Sequence, residues 1–189
     1  MFTDGEPAGA AAVGLTGVRI RSDADRMGWS GAVLEIDQFD LDEIVFALSD
    51  QNVYDEHLHL INPETGEIVL WTREGGIDGE TPVDVDDLDL VAIRPLPSYV
   101  WYEDMADFTD LVSDDQAVRR LARAINGRGA FRRFKDELNE EYPHLLPAWY
   151  AFRDARAARR AVEWLLDESL ISHDAADRFR AEHPDPSVP

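Results

Sequence analysis

Apolar positions along this chain follow one rhythm before residue 95 and another after it. In the earlier stretch they fall in short runs. Gly31 to Ile36 carries Ala-Val-Leu-Glu-Ile and predicts a strand. Asp40 with Glu43 three residues on is a helix-start signal, and Leu41, Ile44, Val45 and Leu48 share one helical face, so a short amphipathic helix is expected to end near Asp50. His57-Leu-His-Leu-Ile61 alternates polar and apolar, Asn62-Pro-Glu-Thr-Gly66 has turn chemistry, and Glu67-Ile-Val-Leu-Trp71 returns, which predicts a hairpin. Leu90-Val-Ala-Ile-Arg94 predicts a third strand beside it, stopped by Pro95 and Pro97.

From Ser98 the period becomes helical. Ser98 is expected to cap a helix with Trp101, Met105, Phe108 and Val112 on its apolar stripe, and Asp114 to cap the next, through about Ile125. A Gly-Arg-Gly corner (Gly127 to Gly129) then leads into a helix reaching Leu138. Tyr142 to Pro147 is a linker, with Pro147 in the first turn of a long helix ending near Leu166. His173 to Ala181 adds a short helix before a Pro-rich tail. The fold class is therefore α+β. A small antiparallel sheet of about three strands, with an N-terminal helix, packs on a C-terminal helical bundle. Residues 1–30 are expected to be a flexible arm and 31–171 a single domain, with a mixed half (31–95) and a helical half (98–171). Residues 172–189 form the short helix and tail.

Composition narrows the function classes. There is no cysteine in 189 residues, which removes disulfides, thiolate metal sites and cysteine nucleophiles. No apolar run approaches the roughly 20 residues of a membrane span, and no basic stretch leads into an apolar core as in a secretory signal. A cytoplasmic location and no membrane partner are the resulting expectations. The net charge of −21 is unevenly spread: residues 23–118 hold 25 acids against three arginines, while residues 119–160 hold 11 bases against five acids. An acidic body repels nucleic acid except where a local basic patch offers it a foothold.

That patch centres on Asn126-Gly-Arg-Gly-Ala-Phe-Arg-Arg-Phe-Lys135. Glycine ends the first helix without a Cβ clash, and the first turn of the second presents free backbone N–H groups. Arg128, Gly129, Arg132, Arg133 and Lys135 could cradle a phosphate or carboxylate there, helped by Arg153 and Arg156. The plainer reading makes Phe131 and Phe134 core anchors with the cations as a solvated rim. A base-stacking role would need those rings exposed, which their helical spacing argues against.

Other candidate chemistry is thin. His57 and His59 share a strand face and could join a carboxylate on a metal, with Asp55, Glu56 or the acidic loop at Asp84 to Asp89 supplying oxygens, but their spacing fits no zinc or calcium pattern, so no metal site is expected. The carboxylates at Asp84, Asp86, Asp87 and Asp89 read as a solvated charge run with no nucleophile nearby. Ser98, Ser113 and Ser172 lack a nucleophile-elbow setting, and no cofactor is expected.

Four segments together resemble a bacterial family known as uncharacterised protein family 0158: Glu64-Thr-Gly-Glu-Ile-Val69, Met105-Ala-Asp-Phe108, Ala124 to Leu138, and Trp149-Tyr-Ala-Phe-Arg153 with Glu163-Trp-Leu165. The resemblance spans residues 40–171 and implies a modest bacterial domain with the same hairpin-then-helices order. It transfers no catalytic residue. The leading functional expectation is a non-enzymatic binding or regulatory module that holds an anionic small molecule or a partner's acidic segment at the corner. The alternatives are an enzyme acting on a phosphorylated substrate through an arginine clamp and a divalent metal, and an acidic mimic that occupies a nucleic-acid-binding protein.

Overall fold

The computed structural model describes residues 33–51 and 57–189. The expected N-terminal arm and the first two residues of the expected Gly31–Ile36 strand lie outside those residues. Where that strand is described it is not one: residues 33–35 are irregular and Ile36–Gln38 is a 3-10 turn. Leu34 donates its N–H to the Leu170 carbonyl at 3.1 Å, so the described part of the segment is tied to a helix-end loop.

Helix α1 (Leu41–Ser49) starts as its sequence predicts, with the Asp40 carboxylate accepting from the Glu43 N–H at 3.0 Å. Strands β1 (His57–Ile61) and β2 (Ile68–Thr72) form the hairpin, and β3 (Val91–Ile93) pairs antiparallel on the other side of β1, giving the order β2-β1-β3. The turn is locked by Asn62, whose side chain accepts from the Glu64 N–H and whose carbonyl accepts from the Gly66 N–H. Gly66 has φ +76°, and a Cβ there would sit 2.5 Å from the Gln38 carbonyl oxygen. Only glycine fits that position. One sheet face packs Leu60 and Trp71 with Leu88, while the other turns Ile61 and Ile93 towards the helices.

Five more helices follow: α2 (Ser98–Leu111), α3 (Asp115–Ala124), α4 (Ala130–Glu140), α5 (Leu146–Asp167) and α6 (His173–Glu182). Ser98 is the first helical residue of α2, not its cap; Pro97 holds the cap position and has no side-chain acceptor to offer. Asp114 caps α3 through the Gln116 and Ala117 N–H groups, and Ser172 caps α6 through the Ala175 N–H. The architecture is α+β, a small antiparallel sheet and N-terminal helix packed on helices.

Helix α5, about 33 Å long at 1.5 Å per residue, is shared by two cores. Its later half packs Val162 and Leu165 against Ile44, Leu48, Ile61 and Phe179, which joins α1, the sheet and α6. Its earlier half packs Trp149 and Phe152 against Phe108, Leu121, Phe134 and Leu138, which joins α2, α3 and α4. The rings of Phe108, Phe134 and Trp149 meet edge to face, with centroids 4.8–6.3 Å apart. That second core fixes the α3–α4 pair on which the basic corner sits.

Candidate functional site

The corner is built by two left-handed residues in close succession. Gly127 has φ +83° and Gly129 φ +76°, so the chain reverses between α3 and α4 in a few residues. Neither glycine is crowded: a Cβ on Gly127 would meet nothing within 4 Å, and one on Gly129 only Arg133 Nη1 at 3.5 Å. Backbone conformation, not space, is what requires glycine here. Gly129 occupies the cap position of α4 and offers no side-chain acceptor, so the first-turn N–H groups of α4 meet no capping oxygen.

Arg133 is exposed, but its guanidinium is engaged by the backbone. Its guanidinium folds back onto the end of α3, donating from Nε to the Ala124 carbonyl at 3.0 Å, from Nη2 to Asn126 at 2.5 Å and Gly127 at 3.3 Å, and from Nη1 to Arg128. These carbonyls lie at and just past the α3 terminus, where a cation is favourable and the helix itself supplies no donors. Arg133 is the clasp that closes the corner.

The remaining predicted residues divide into two groups. Arg128 and Lys135 are exposed, and Arg132 is 88% exposed, with Asp136 beside it at 3.4 Å. Arg153 and Arg156 lie elsewhere, on α5. Arg153 pairs with the adjacent Asp154 at 2.7 Å and covers the Tyr150 ring, while Arg156 pairs with Asp107 of α2 at 2.8 Å over the Phe152 ring. The structure therefore gathers Arg128, Gly129, Arg132 and Lys135 at the corner, converts Arg133 into scaffold, and engages Arg153 and Arg156 in ion pairs.

Phe131 corrects a second expectation. Phe134 is fully buried, but Phe131 is 45% exposed. The inward stripe of α4 is Ala130, Phe134 and Leu138, each four residues apart. Ala130 takes the core position at the helix start, and Phe131, rotated about 100° from it, lies at the rim.

A groove of about 650 Å³ runs between α3 and α4, lined by Arg120, Arg123, Arg133, Asp136, Glu137 and Glu140 among others. Sequence reasoning does not single out Arg120 or Arg123. Arg120 joins the two helices through Glu137 and, at 2.9 Å, Glu141. Desolvation works against its charge, but the hydrogen bonds and attraction of those two carboxylates hold its pKa above the usual value. At the other end of α3, the Ala117 and Gln116 N–H groups hold the Asp114 carboxyl below its usual value. A larger hollow of about 830 Å³ lies between residues 35–42 and α6, with Asp37, Asp40, Asp42 and Glu182 on its walls beside Arg178 and apolar side chains.

The other candidates resolve into local structure. His57 Nε2 lies 3.3 Å and His59 Nε2 3.9 Å from the same Asp50 oxygen, and the His59 ring meets Phe46 edge to face. Asp55 and Glu56 lie outside the described residues. Among the described residues no group of three His, Cys, Asp or Glu side chains is placed to hold a metal. Asp84 caps a 3-10 turn through the Asp86 N–H, which explains part of the acidic loop as turn chemistry. Among the described residues no helix is long and apolar enough to cross a membrane.

Comparison with known proteins yields a family without an assigned activity. The model of the Uncharacterised protein family (UPF0158) matches residues 41–178, so the match runs past Ile171 into α6, beyond the limit that the sequence resemblance implied. A UPF0158 protein of Pseudomonas aeruginosa is 31% identical over 132 residues, covering 69% of this chain and 83% of that protein. No solved structure matches the chain. The chain belongs to the UPF0158 family.

Proposed function

We propose that this member of the family is a non-enzymatic binding module that holds an anionic group at the Gly-Arg-Gly corner, through Arg128, Arg132 and the first-turn N–H groups of α4. The observation that carries the reading is the exposed Arg132 in the first turn of α4. A cation there opposes the helix dipole, and the same turn holds no acidic side chain and no capping acceptor. An anion seated against that turn would satisfy the free donors and the arginines together. Lys135, one turn further along, adds charge without a fixed geometry. Exposure of the corner also favours binding over the mimicry alternative, which calls for the basic segment to be covered.

Net charge of −21 opposes any anion at long range. At about 0.15 M salt the Debye length is about 8 Å, short enough for the corner to act apart from distant carboxylates. The expected result is weak, salt-sensitive binding of inorganic phosphate by calorimetric titration. It should be lost when Arg128 and Arg132 are both changed to alanine. Equal heat from the double variant and the native chain would remove the corner as the site.

A further inference from the structure

Phe131 and Phe134 stand three residues apart on α4 in opposite surroundings. Phe134 is enclosed by Phe108 and Trp149, whereas Phe131 leaves 45% of its surface in water. Arginines in this chain readily cover rings: Arg120 lies over Tyr142, Arg153 over Tyr150, Arg156 over Phe152 and Arg160 over Trp101. Among the described residues no such cation and no second ring stacks on Phe131. Cations nevertheless lie close to it along the chain. Lys135 stands four residues on and shares its side of α4, Arg132 follows it in the first turn, and Arg128 lies in the corner just before the helix. The patch is thus an open aromatic face with exposed positive charge on its flanks.

We infer that the anion held at the corner is a nucleoside phosphate, with its phosphate at Arg128 and Arg132 and its base stacked on Phe131. The inference rests on the anion-binding reading above and adds the base subsite to it. Charge complementarity selects an anion, and the open ring selects one that carries a flat π surface. Stacking on an aromatic side chain is sequence-tolerant and needs no hydrogen-bonding partners, and the patch shows a ring with cations but no polar array for reading base edges. A free nucleotide and the phosphorylated end of a single strand share this chemistry.

The test is a titration of the full chain with inorganic phosphate, ribose 5-phosphate, adenosine 5′-monophosphate, a 5′-phosphorylated hexa-adenylate and an acidic hexapeptide, at two salt concentrations. Adenosine monophosphate should bind about tenfold more tightly than ribose 5-phosphate. Phe131→Ala should erase that difference and Phe131→Trp should keep it. Because Phe131 is at the rim, an unchanged thermal midpoint for each variant shows that folding is not the cause. A hexa-adenylate tighter than the mononucleotide identifies a strand as the source, and equal affinities identify the free nucleotide. Equal affinity for ribose 5-phosphate and adenosine monophosphate overturns the base subsite while the anion site stands. Loss of phosphate, ribose phosphate and nucleotide binding together overturns both. Tighter binding of the acidic hexapeptide than of any nucleotide overturns the inference in favour of a protein partner.

Discussion

Arg160 on α5 and Arg132 on α4 each stand beside an aspartate, and the two pairs behave as different kinds of object. Arg160 grips Asp104 of α2 with two hydrogen bonds, at 2.6 and 2.5 Å, and the two side chains are 14% and 2% exposed. Arg132 and Asp136 are 88% and 53% exposed at 3.4 Å. The first pair belongs to a layer in which Arg156 meets Asp107, and Arg159 meets Asp185 and the His183 carbonyl. That layer clasps α2 and the C-terminal segment to α5. Part of the acidic half of the chain is answered there, inside the molecule. The exposed cations of the corner are not committed in that way, and their charge stays available to something outside. A count of bases between residues 119 and 160 therefore overstates the binding patch, since many of those side chains are committed to the fold.

The largest test of this contrast lies within α4 itself. Phe134→Ala should cost on the order of 3–5 kcal/mol in urea unfolding, since it removes a ring enclosed by two others and leaves a cavity. Phe131→Ala should shift stability by no more than about 0.5 kcal/mol. Comparable losses from the two would place Phe131 in the core and close the base subsite.

Next in size is the enclosed ion pair. Arg160→Ala leaves the Asp104 carboxylate buried without a partner, and breaking such a pair from one side costs about 3 kcal/mol or more. Exchanging both members, Arg160→Met with Asp104→Leu, should recover most of that loss, because the penalty comes from an uncompensated charge. A double variant as unstable as the single one would show that the pair itself, and not its desolvation, holds α2 to α5.

Much of the architecture is legible in the sequence. Alternation at His57–Ile61 and the turn at Asn62–Gly66 are local, so the hairpin can be read directly, and the caps at Asp40 and Asp114 likewise need only their own first turns. The corner's backbone is legible because Gly127 and Gly129 sit where left-handed residues are needed. Side-chain destinations are not. Arg133 and Arg132 are neighbours with the same chemistry, and only the position of the α3 carbonyls decides which one folds inward. Phe131 escapes the sequence reading because spacing of three to four residues fits both Phe131 and Ala130 to the stripe, and the smaller residue takes the place against the core. Where the strand expected at Gly31–Ile36 is described, the chain instead makes a 3-10 turn and is tied through Leu34 to Leu170, a partner too far along the chain for local pattern to show.

A smaller effect is expected at the clasp. Arg133→Ala strips the donors from carbonyls near the surface, where water can partly replace them, so a loss of about 1 kcal/mol is expected in the unfolding midpoint. Arg133→Lys should recover only part of it, since an ammonium cannot reproduce a planar fork that spans carbonyls from Ala124 to Arg128. Full recovery with lysine would make the clasp a matter of charge alone.

The smallest effect is the one the comparison most depends on. Arg132 and Asp136 form an i,i+4 pair in which the cation lies N-terminal to the anion, the weaker of the two orientations because both charges then oppose the helix dipole. An exposed pair of this kind is worth about 0.3 kcal/mol at most, and water and salt screen what there is. Removing a cation from the first turn of α4 also relieves its repulsion from the positive end of the helix. The two contributions have opposite signs and similar size. Arg132→Ala should therefore leave the unfolding midpoint within about 0.5 kcal/mol of the native chain, or raise it slightly, while weakening phosphate binding. Thermal unfolding and calorimetric titration of the same variant separate the two roles. If Arg132→Ala destabilises the chain as Arg160→Ala is expected to, its guanidinium is part of the scaffold, and the corner has only Arg128 to offer an anion.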